Sequence, residues 1–119
     1  MKKIVLVLIL FLASLLFIGC SSETSNANNT DLSNFIQAYE DEGVEIDPND
    51  KPFFQMIEAK DGVIFYMDGD KVAIYEYESG KSLKEAMKNN AMLSDWIVNG
   101  KFLLETSNET AKDIFTSVN

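Results

Sequence analysis

The stretch that decides the fold is "GVIFYMDGDKVAIYEYE" at residues 62–78. Two runs rich in β-branched and aromatic residues flank Asp68-Gly69, a dipeptide that suits a tight type I′ hairpin turn. Successive residues of a strand point to opposite faces, so alternation divides the hairpin into two faces. The face expected to contact the core carries Val63, Phe65, Met67, Val72 and Ile74.

The opposite face of this hairpin is rich in tyrosine. It carries Ile64, Tyr66, Ala73, Tyr75 and Tyr77. Tyrosine is enriched at protein interfaces, so Tyr66, Tyr75 and Tyr77 are candidate partner-binding residues. The alternative is that the first or last helix of the domain covers them, with their hydroxyls reaching solvent at the rim. The pattern favours this covered arrangement, because two further helices are available to pack there.

The segment before the hairpin predicts one helix and two shorter elements. Leu32, Phe35, Ile36 and Tyr39 fall at helical spacing between a capping Asp31 and a terminating Gly43. "VEI" at 44–46 alternates and predicts a short strand. "PFFQMIEA" at 52–59 predicts a short helix that Asp50 caps.

The segment after the hairpin predicts helix, strand and helix. "SLKEAMKNNA" begins with a capping box of Ser82 and Glu85. "NGKFLLET" predicts a strand after an Asn99-Gly100 turn, and Thr106 with Glu109 would cap the last helix. The expected fold is therefore α+β, a small antiparallel or mixed sheet of three to four strands in ferredoxin-like βαββαβ order, with an added helix at each end.

The chain start has the pattern of a secretory signal peptide. Lys2 and Lys3 precede fifteen residues without a charge. At the end of this run, Phe17, Ile18, Gly19 and Cys20 resemble the bacterial lipobox, although Phe17 departs from its usual aliphatic residue. The resemblance implies cleavage before Cys20 and a diacylglyceryl group on the Cys20 thiol. The sequence alone leaves two alternatives, an uncleaved anchor and a redox or catalytic cysteine, and the second would need a basic partner in a chain without histidine or arginine.

These expectations divide the chain into three parts. Residues 1–19 are the cleaved signal peptide, and residues 20–30 are the lipidated cysteine and a polar tether, "SSETSNANNT". Ten such residues reach roughly 17 Å. Residues 31–119 are a single domain, large enough for one hydrophobic core.

The hairpin and the following strand also resemble small lipoproteins of low-GC Gram-positive bacteria. The residues that carry this resemblance are "AKDGVIFYMDGDKVAIYEY" at 59–77 and "DWIVNGKFLLE" at 95–105. The resemblance implies a lipid-anchored location at the cell membrane, facing outside the cytoplasm. It implies no catalytic or binding site.

The charge balance restricts the partners. The formal net charge is −9, and loss of Lys2 and Lys3 with the signal peptide brings it to −11. Nucleic-acid binding is therefore not expected, and adsorption to an anionic membrane is disfavoured. An electrostatically steered partner should be a cationic protein or peptide. The alternative is that the charge serves only solubility.

Residues suited to catalysis or metal binding are scarce. The chain has no histidine, and no glycine-rich phosphate loop follows a strand. The acidic run Glu40, Asp41, Glu42 and Glu45 predicts a solvated edge, with a weak cation site as the alternative. "DPNDKPFFQMIE" at 47–58 fails as a calcium loop because Lys51 and Pro52 occupy ligand and glycine positions. No cofactor and no metal are expected.

The function expected from the sequence is that of a non-catalytic, membrane-anchored extracytoplasmic lipoprotein that binds a protein or peptide at the cell surface. The first alternative is an accessory structural lipoprotein of an envelope complex. A small hydrolase is the third.

Overall fold

The computed structural model describes residues 30–119, and this part of the chain is an α+β domain. Its α-helices are α1 (Leu32–Asp41), α2 (Gly80–Asn89) and α3 (Glu109–Ser117). Its strands are β1 (Asp61–Met67), β2 (Asp70–Glu76), β3 (Ile97–Asn99) and β4 (Phe102–Thr106). Two 3-10 helices complete it, the first at Phe54–Ile57 and the second at Ala91–Asp95.

The predicted β1–β2 hairpin is confirmed. Asp68 and Gly69 both have positive φ angles, 54° and 84°, as a type I′ turn requires. The register pairs Val63 with Ile74, and it pairs Ile64 with Ala73. The two faces of the hairpin therefore divide as the alternation predicts.

The sheet has four strands in the order β1-β2-β4-β3, and every neighbouring pair is antiparallel. β3 is a strand that the sequence pattern did not separate from the following turn. It pairs with β4 around Gly100, whose φ of 62° suits glycine. The sheet is therefore two hairpins joined through β2 and β4.

The strand expected at residues 44–46 is absent from this sheet, and the ferredoxin-like order is not confirmed. A ferredoxin-like sheet would place its first strand between β2 and β4, but these two strands pair directly with each other. Beside β1, the Ile64 N–H donates to the Asp50 carbonyl oxygen at 3.0 Å. Val44 instead donates its N–H to the Tyr39 carbonyl oxygen at the end of α1. Val44 and Ile46 still pack against the core, but from irregular backbone.

Helices α1 and α3 cover one face of the sheet. The Phe35 ring lies with its centroid 4.5 Å from that of Phe102 and 4.9 Å from that of Phe115. Tyr39 packs edge-on against Phe65, and its hydroxyl donates to the Ala111 carbonyl oxygen at 2.6 Å. This aromatic cluster joins both helices to the sheet and forms the first core.

Helix α2 and the two 3-10 helices cover the other face. The second core comprises Ile57, Ala59, Ala73, Tyr75, Tyr77, Leu83, Ala86, Leu93 and Leu103. Tyr75 and Tyr77 are thus covered, but not by the first or last helix as the favoured alternative expected, and Tyr66 remains exposed. The first and last helices are engaged on the opposite face by their own aromatic residues.

Two helix starts differ from the expected capping boxes. Helix α2 is capped by Ser79, whose hydroxyl accepts from the Ser82 N–H at 3.1 Å. Helix α3 is capped by Asn108, whose side-chain oxygen accepts from the Ala111 N–H at 2.8 Å. Asp31 caps α1 as expected, in a reciprocal box with Asn34.

The end of α3 is held by a side chain from β3. The Asn99 amide donates to the Phe115 carbonyl oxygen at 3.0 Å and to the Val118 carbonyl oxygen at 2.7 Å. These acceptors are carbonyls that a helix end leaves without partners. The last helix is therefore attached to the edge of the sheet beside the Gly100 turn.

The lipobox residues Phe17, Ile18, Gly19 and Cys20, with the expected signal peptide and most of the tether, lie outside the described residues. Within residues 30–119, none of the helices has the length and apolar character that crossing a membrane requires.

Candidate functional site

A group of large apolar side chains lies exposed beside the second core. Phe53 is 85% exposed, Met56 78%, Tyr66 64% and Met92 61%. Ile64, half-buried on β1, lies among them. We call Phe53, Met56, Ile64, Tyr66 and Met92 the apolar patch. A soluble domain rarely exposes several such side chains together unless they contact a partner.

The first 3-10 helix presents Phe53 and Met56 from a fixed position. Its end is attached to β2, because the Tyr77 hydroxyl donates to the Ile57 carbonyl oxygen at 2.7 Å. Its start is held against β1, where a Cβ on Gly62 would lie 3.0 Å from the Pro52 side chain. Glycine at position 62 therefore permits this close approach, and the two exposed side chains stand on a rigid base.

Phe53, Met56, Ile64 and Met92 of the patch line a groove of about 320 Å³, together with Lys51 and Lys71 at its border. Tyr75 and Trp96 line it, and their rings stack with centroids 5.8 Å apart and planes 16° from parallel. Met56 and Met92 flank it from the two 3-10 helices. Methionine is flexible and polarizable, so such a groove adapts to apolar side chains of different shapes.

A polar network closes one side of this groove. The Glu105 carboxylate accepts from the Tyr75 hydroxyl at 3.1 Å and from the Lys71 ammonium at 3.0 Å. Burial raises the pKa of the Tyr75 hydroxyl, and the negative charge of Glu105 raises it further. Tyr75 therefore stays protonated and acts as a donor that holds Glu105 at the rim.

Carboxylates flank the other side of the patch. Glu45, Asp47 and Asp50 are exposed and line a second groove of about 690 Å³. Ile64 and Tyr66 line the same groove, so the acidic side chains adjoin the apolar patch. The combined surface is apolar at its centre and negative at one border.

The structure separates the three tyrosines that the sequence grouped as candidate binding residues. Tyr75 is 6% exposed and Tyr77 is fully buried, with both hydroxyls bonded within the domain. A partner cannot reach Tyr77, and it can reach Tyr75 only through the groove. Tyr66 alone lies on the surface, because α2 and the 3-10 helices cover β2 but do not extend over the end of β1.

Sequence reasoning missed Phe53, Met56 and Met92 as surface residues. "PFFQMIEA" predicted a short helix capped by Asp50, but the 3-10 helix there has Phe53 as its N-cap residue and no side-chain cap. The segment is a single 3-10 turn that buries Ile57 and leaves both of these side chains in solvent. The sequence did contain a signal for this exposure. The 3-10 helix has three apolar residues, and a single turn cannot bury all of them.

The acidic groups do not assemble into a metal site. Among residues 30–119, no three histidine, cysteine, aspartate or glutamate side chains lie close enough to hold a metal ion. No protein-family model, curated protein or solved structure matches the chain. The surface combines a groove with stacked aromatic walls and a border of the carboxylates Glu45, Asp47 and Asp50.

Proposed function

We propose that this protein is a non-catalytic lipoprotein, anchored at the outer side of the cell membrane through Cys20, that binds a cationic amphipathic peptide segment. The observation that carries the binding role is the exposed apolar patch around the Tyr75–Trp96 groove. The anchor is supported by the lipobox resemblance at Phe17, Ile18, Gly19 and Cys20.

The negative border supports the cationic character of the partner. Glu45, Asp47 and Asp50 adjoin Tyr66 and Ile64, and the chain carries 19 acidic residues against 10 basic ones. Lysine or arginine side chains on the polar side of a helical peptide would approach these carboxylates while its apolar side enters the groove. Complementary charge would also raise the association rate, most strongly at low salt.

A pair of model peptides tests this function. One is an amphipathic helix of leucine and lysine, and the other has glutamate in place of every lysine. We expect the lysine peptide to bind the Cys20→Ser protein in isothermal titration calorimetry, with an affinity that falls as salt rises. Equal affinity for the two peptides would contradict the proposal.

Variants separate binding at the patch from general attraction to an acidic protein. Met56→Gln with Met92→Gln should weaken binding by about tenfold or more, which is the effect of losing about 1.4 kcal/mol. Val98→Gln is the matched control, because Val98 is also exposed but lies outside the patch. For charge, Glu45→Gln should weaken binding more than Asp113→Asn, which removes the same single charge on α3. Unchanged affinity in the methionine double variant would overturn the assignment of this surface.

A further inference from the structure

The lysines of the domain fall into two classes. Five of the eight in residues 30–119 form ion pairs: Lys51, Lys60, Lys71, Lys101 and Lys112. Lys81, Lys84 and Lys88 form none within the described part of the chain. These three are exposed and occupy one side of α2 at spacings of three and four residues.

Two of these unpaired lysines border a groove distinct from the apolar patch. The groove, of about 710 Å³, lies between α2 and the edge strand β3. Lys81, Lys84 and Lys101 line it together with Leu83, Met87 and the exposed Val98. We call this surface, with Lys88 beside it, the lysine face. The face therefore has lysines around a small apolar surface. Glu85, the one acidic residue of α2, does not line the groove.

The lysine face lies at the end of the sheet where the chain enters the domain. The pKa of Asp31 is held below its usual value, mainly by the hydrogen bond from the Ser33 hydroxyl and in smaller part by the Lys101 ammonium. Phe35, one turn further along α1, contacts Phe102, the residue that follows Lys101, so the start of α1 lies at the Gly100 end of the sheet. The expected tether, residues 20–30, ends beside this face, and it reaches only roughly 17 Å.

Two acidic residues lie near this face, since Glu76 pairs with Lys101 at 3.1 Å and Glu85 belongs to α2. The Asp68-Gly69 turn is at the opposite end of the seven-residue strand β2, roughly 20 Å away along the strand. That distance exceeds the Debye length of about 8 Å at physiological salt. Carboxylates at that turn are therefore screened from the lysine face, where Lys81, Lys84 and Lys88 form no ion pair within the described residues.

We propose that the lysine face docks onto anionic phospholipid headgroups and orients the anchored domain with its Gly100 end toward the bilayer. This inference rests on the lipid anchor of the proposed function. Phosphate groups would pair with Lys81, Lys84 and Lys88, and Val98 and Met87 would meet the interfacial region of the bilayer. The tether raises the effective concentration of the lysine face at the membrane, so weak contacts with single headgroups are enough to orient the domain.

Lysine footprinting on vesicles tests the orientation. Cys20 is the only cysteine, so the chain of residues 20–119 can be coupled through it to a maleimide lipid. Removal of residues 1–19 leaves both cores intact, because every core residue lies beyond residue 31. The coupled protein is treated with an amine-acylating reagent on phosphatidylcholine vesicles with and without phosphatidylglycerol, and mass spectrometry gives the rate at each lysine.

We expect phosphatidylglycerol to slow acylation of Lys81, Lys84 and Lys88 severalfold while Lys112, on α3, reacts at an unchanged rate. Equal rates on both vesicles would overturn the proposal and would leave an acidic protein partner as the other candidate for this face. Equal protection of Lys112 would overturn it too, because that indicates adsorption without orientation.

Two double variants complete the test. Lys81→Gln with Lys84→Gln should weaken partition of the uncoupled domain onto phosphatidylglycerol vesicles by about 25-fold, or about fivefold for each lysine. Lys71→Gln with Lys112→Gln removes the same charge elsewhere and should change it less than twofold. Equal losses in the two variants would overturn the assignment to this face. The lipid is coupled chemically, so these outcomes do not depend on whether cells acylate Cys20. The lipid anchor is tested separately, by fatty-acid labelling of the Cys20→Ser variant.

Discussion

The Tyr77 hydroxyl donates a hydrogen bond to the Ile57 carbonyl oxygen at 2.7 Å, and both residues belong to the second core. The bond attaches β2 to the first 3-10 helix, which bears Met56. A covered tyrosine therefore supports the apolar patch from beneath instead of forming part of it.

Loss of this bond should destabilise the domain. Tyr77→Phe leaves the ring in place but deprives the buried Ile57 carbonyl of its partner, which costs about 1–3 kcal/mol. Urea unfolding followed by circular dichroism measures the change as a lower midpoint with an unaltered slope. Tyr66→Phe is the matched control, because the Tyr66 side chain is exposed. Equal midpoints for the two variants would contradict the structural role.

Truncation should distinguish Tyr75 from Tyr66 sharply. Tyr75→Ala removes a 6%-exposed ring that stacks on Trp96, and we expect a loss of about 3–5 kcal/mol. Tyr66→Ala should change the free energy of unfolding by less than about 0.5 kcal/mol. Thermal denaturation of the two variants compares them directly. A Tyr75→Ala variant as stable as the wild type would show that Tyr75 is not packed as described.

Asn108 should be more important for stability than its exposed neighbours. Its side chain caps α3 and also donates to the Met67 carbonyl oxygen and to Asp70. Asn108→Ala removes all three contacts, and we expect a cost of about 2 kcal/mol, more than a cap alone. Asn108→Asp keeps the capping oxygen but places a second carboxylate beside Asp70. Its deficit should therefore shrink as the solution is acidified, which urea titrations at two pH values would detect.

Stability should fall in alkali. Burial raises the pKa of Tyr77 from 10.0 to about 12, and it raises those of Tyr39 and Tyr75 as well. Because the folded-state pKa lies above the unfolded value, the folded state keeps the tyrosine proton to a higher pH than the unfolded state does. The contribution of Tyr77 is thus complete below pH 10 and is lost as the pH rises toward 12.

The decline should reach up to about 1.4 kcal/mol per pH unit for each such tyrosine. Unfolding free energies measured at a series of pH values test this, and Tyr77→Phe should flatten the decline. An identical decline in that variant would show that other groups cause it.

Lipidation at Cys20 remains a prediction from the sequence. Cys20→Ser removes the thiol that would carry the diacylglyceryl group, so the precursor should stay unprocessed and should not incorporate labelled fatty acid. Metabolic labelling followed by electrophoresis reads out both effects. Equal incorporation of label by the variant and the wild type would remove the basis for the anchor.

The sequence predicted the parts of the fold that are encoded locally. The β1–β2 hairpin follows from Asp68-Gly69 and strict alternation, and α1 follows from its apolar spacing between Asp31 and Gly43. Helices α2 and α3 are capped by Ser79 and Asn108 and not by the residues that the capping-box pattern predicted. Asn108 is recruited by tertiary contacts with Met67 and Asp70, which no local pattern contains.

The binding surface was harder to predict, because it depends on which helices cover which face. Alternation correctly placed Tyr66, Tyr75 and Tyr77 on one side of the hairpin, yet only the packing of α2 and the 3-10 helices decides that Tyr66 alone is exposed. The "VEI" strand failed for a similar reason. Its pattern is compatible with a strand, but β2 and β4 pair directly and leave no place between them for it.

The attachment of α3 through Asn99 bears on how the protein can be labelled. Because Val118 accepts from Asn99 beside the Gly100 turn, and Phe35 of α1 contacts Phe102 after that turn, a reporter domain fused after Asn119 would stand at the same end of the sheet as the start of α1. In an anchored chain it would be crowded between the domain and the bilayer. A short epitope inserted at the Asp68-Gly69 turn would instead project from the opposite end and leave the lysine face free.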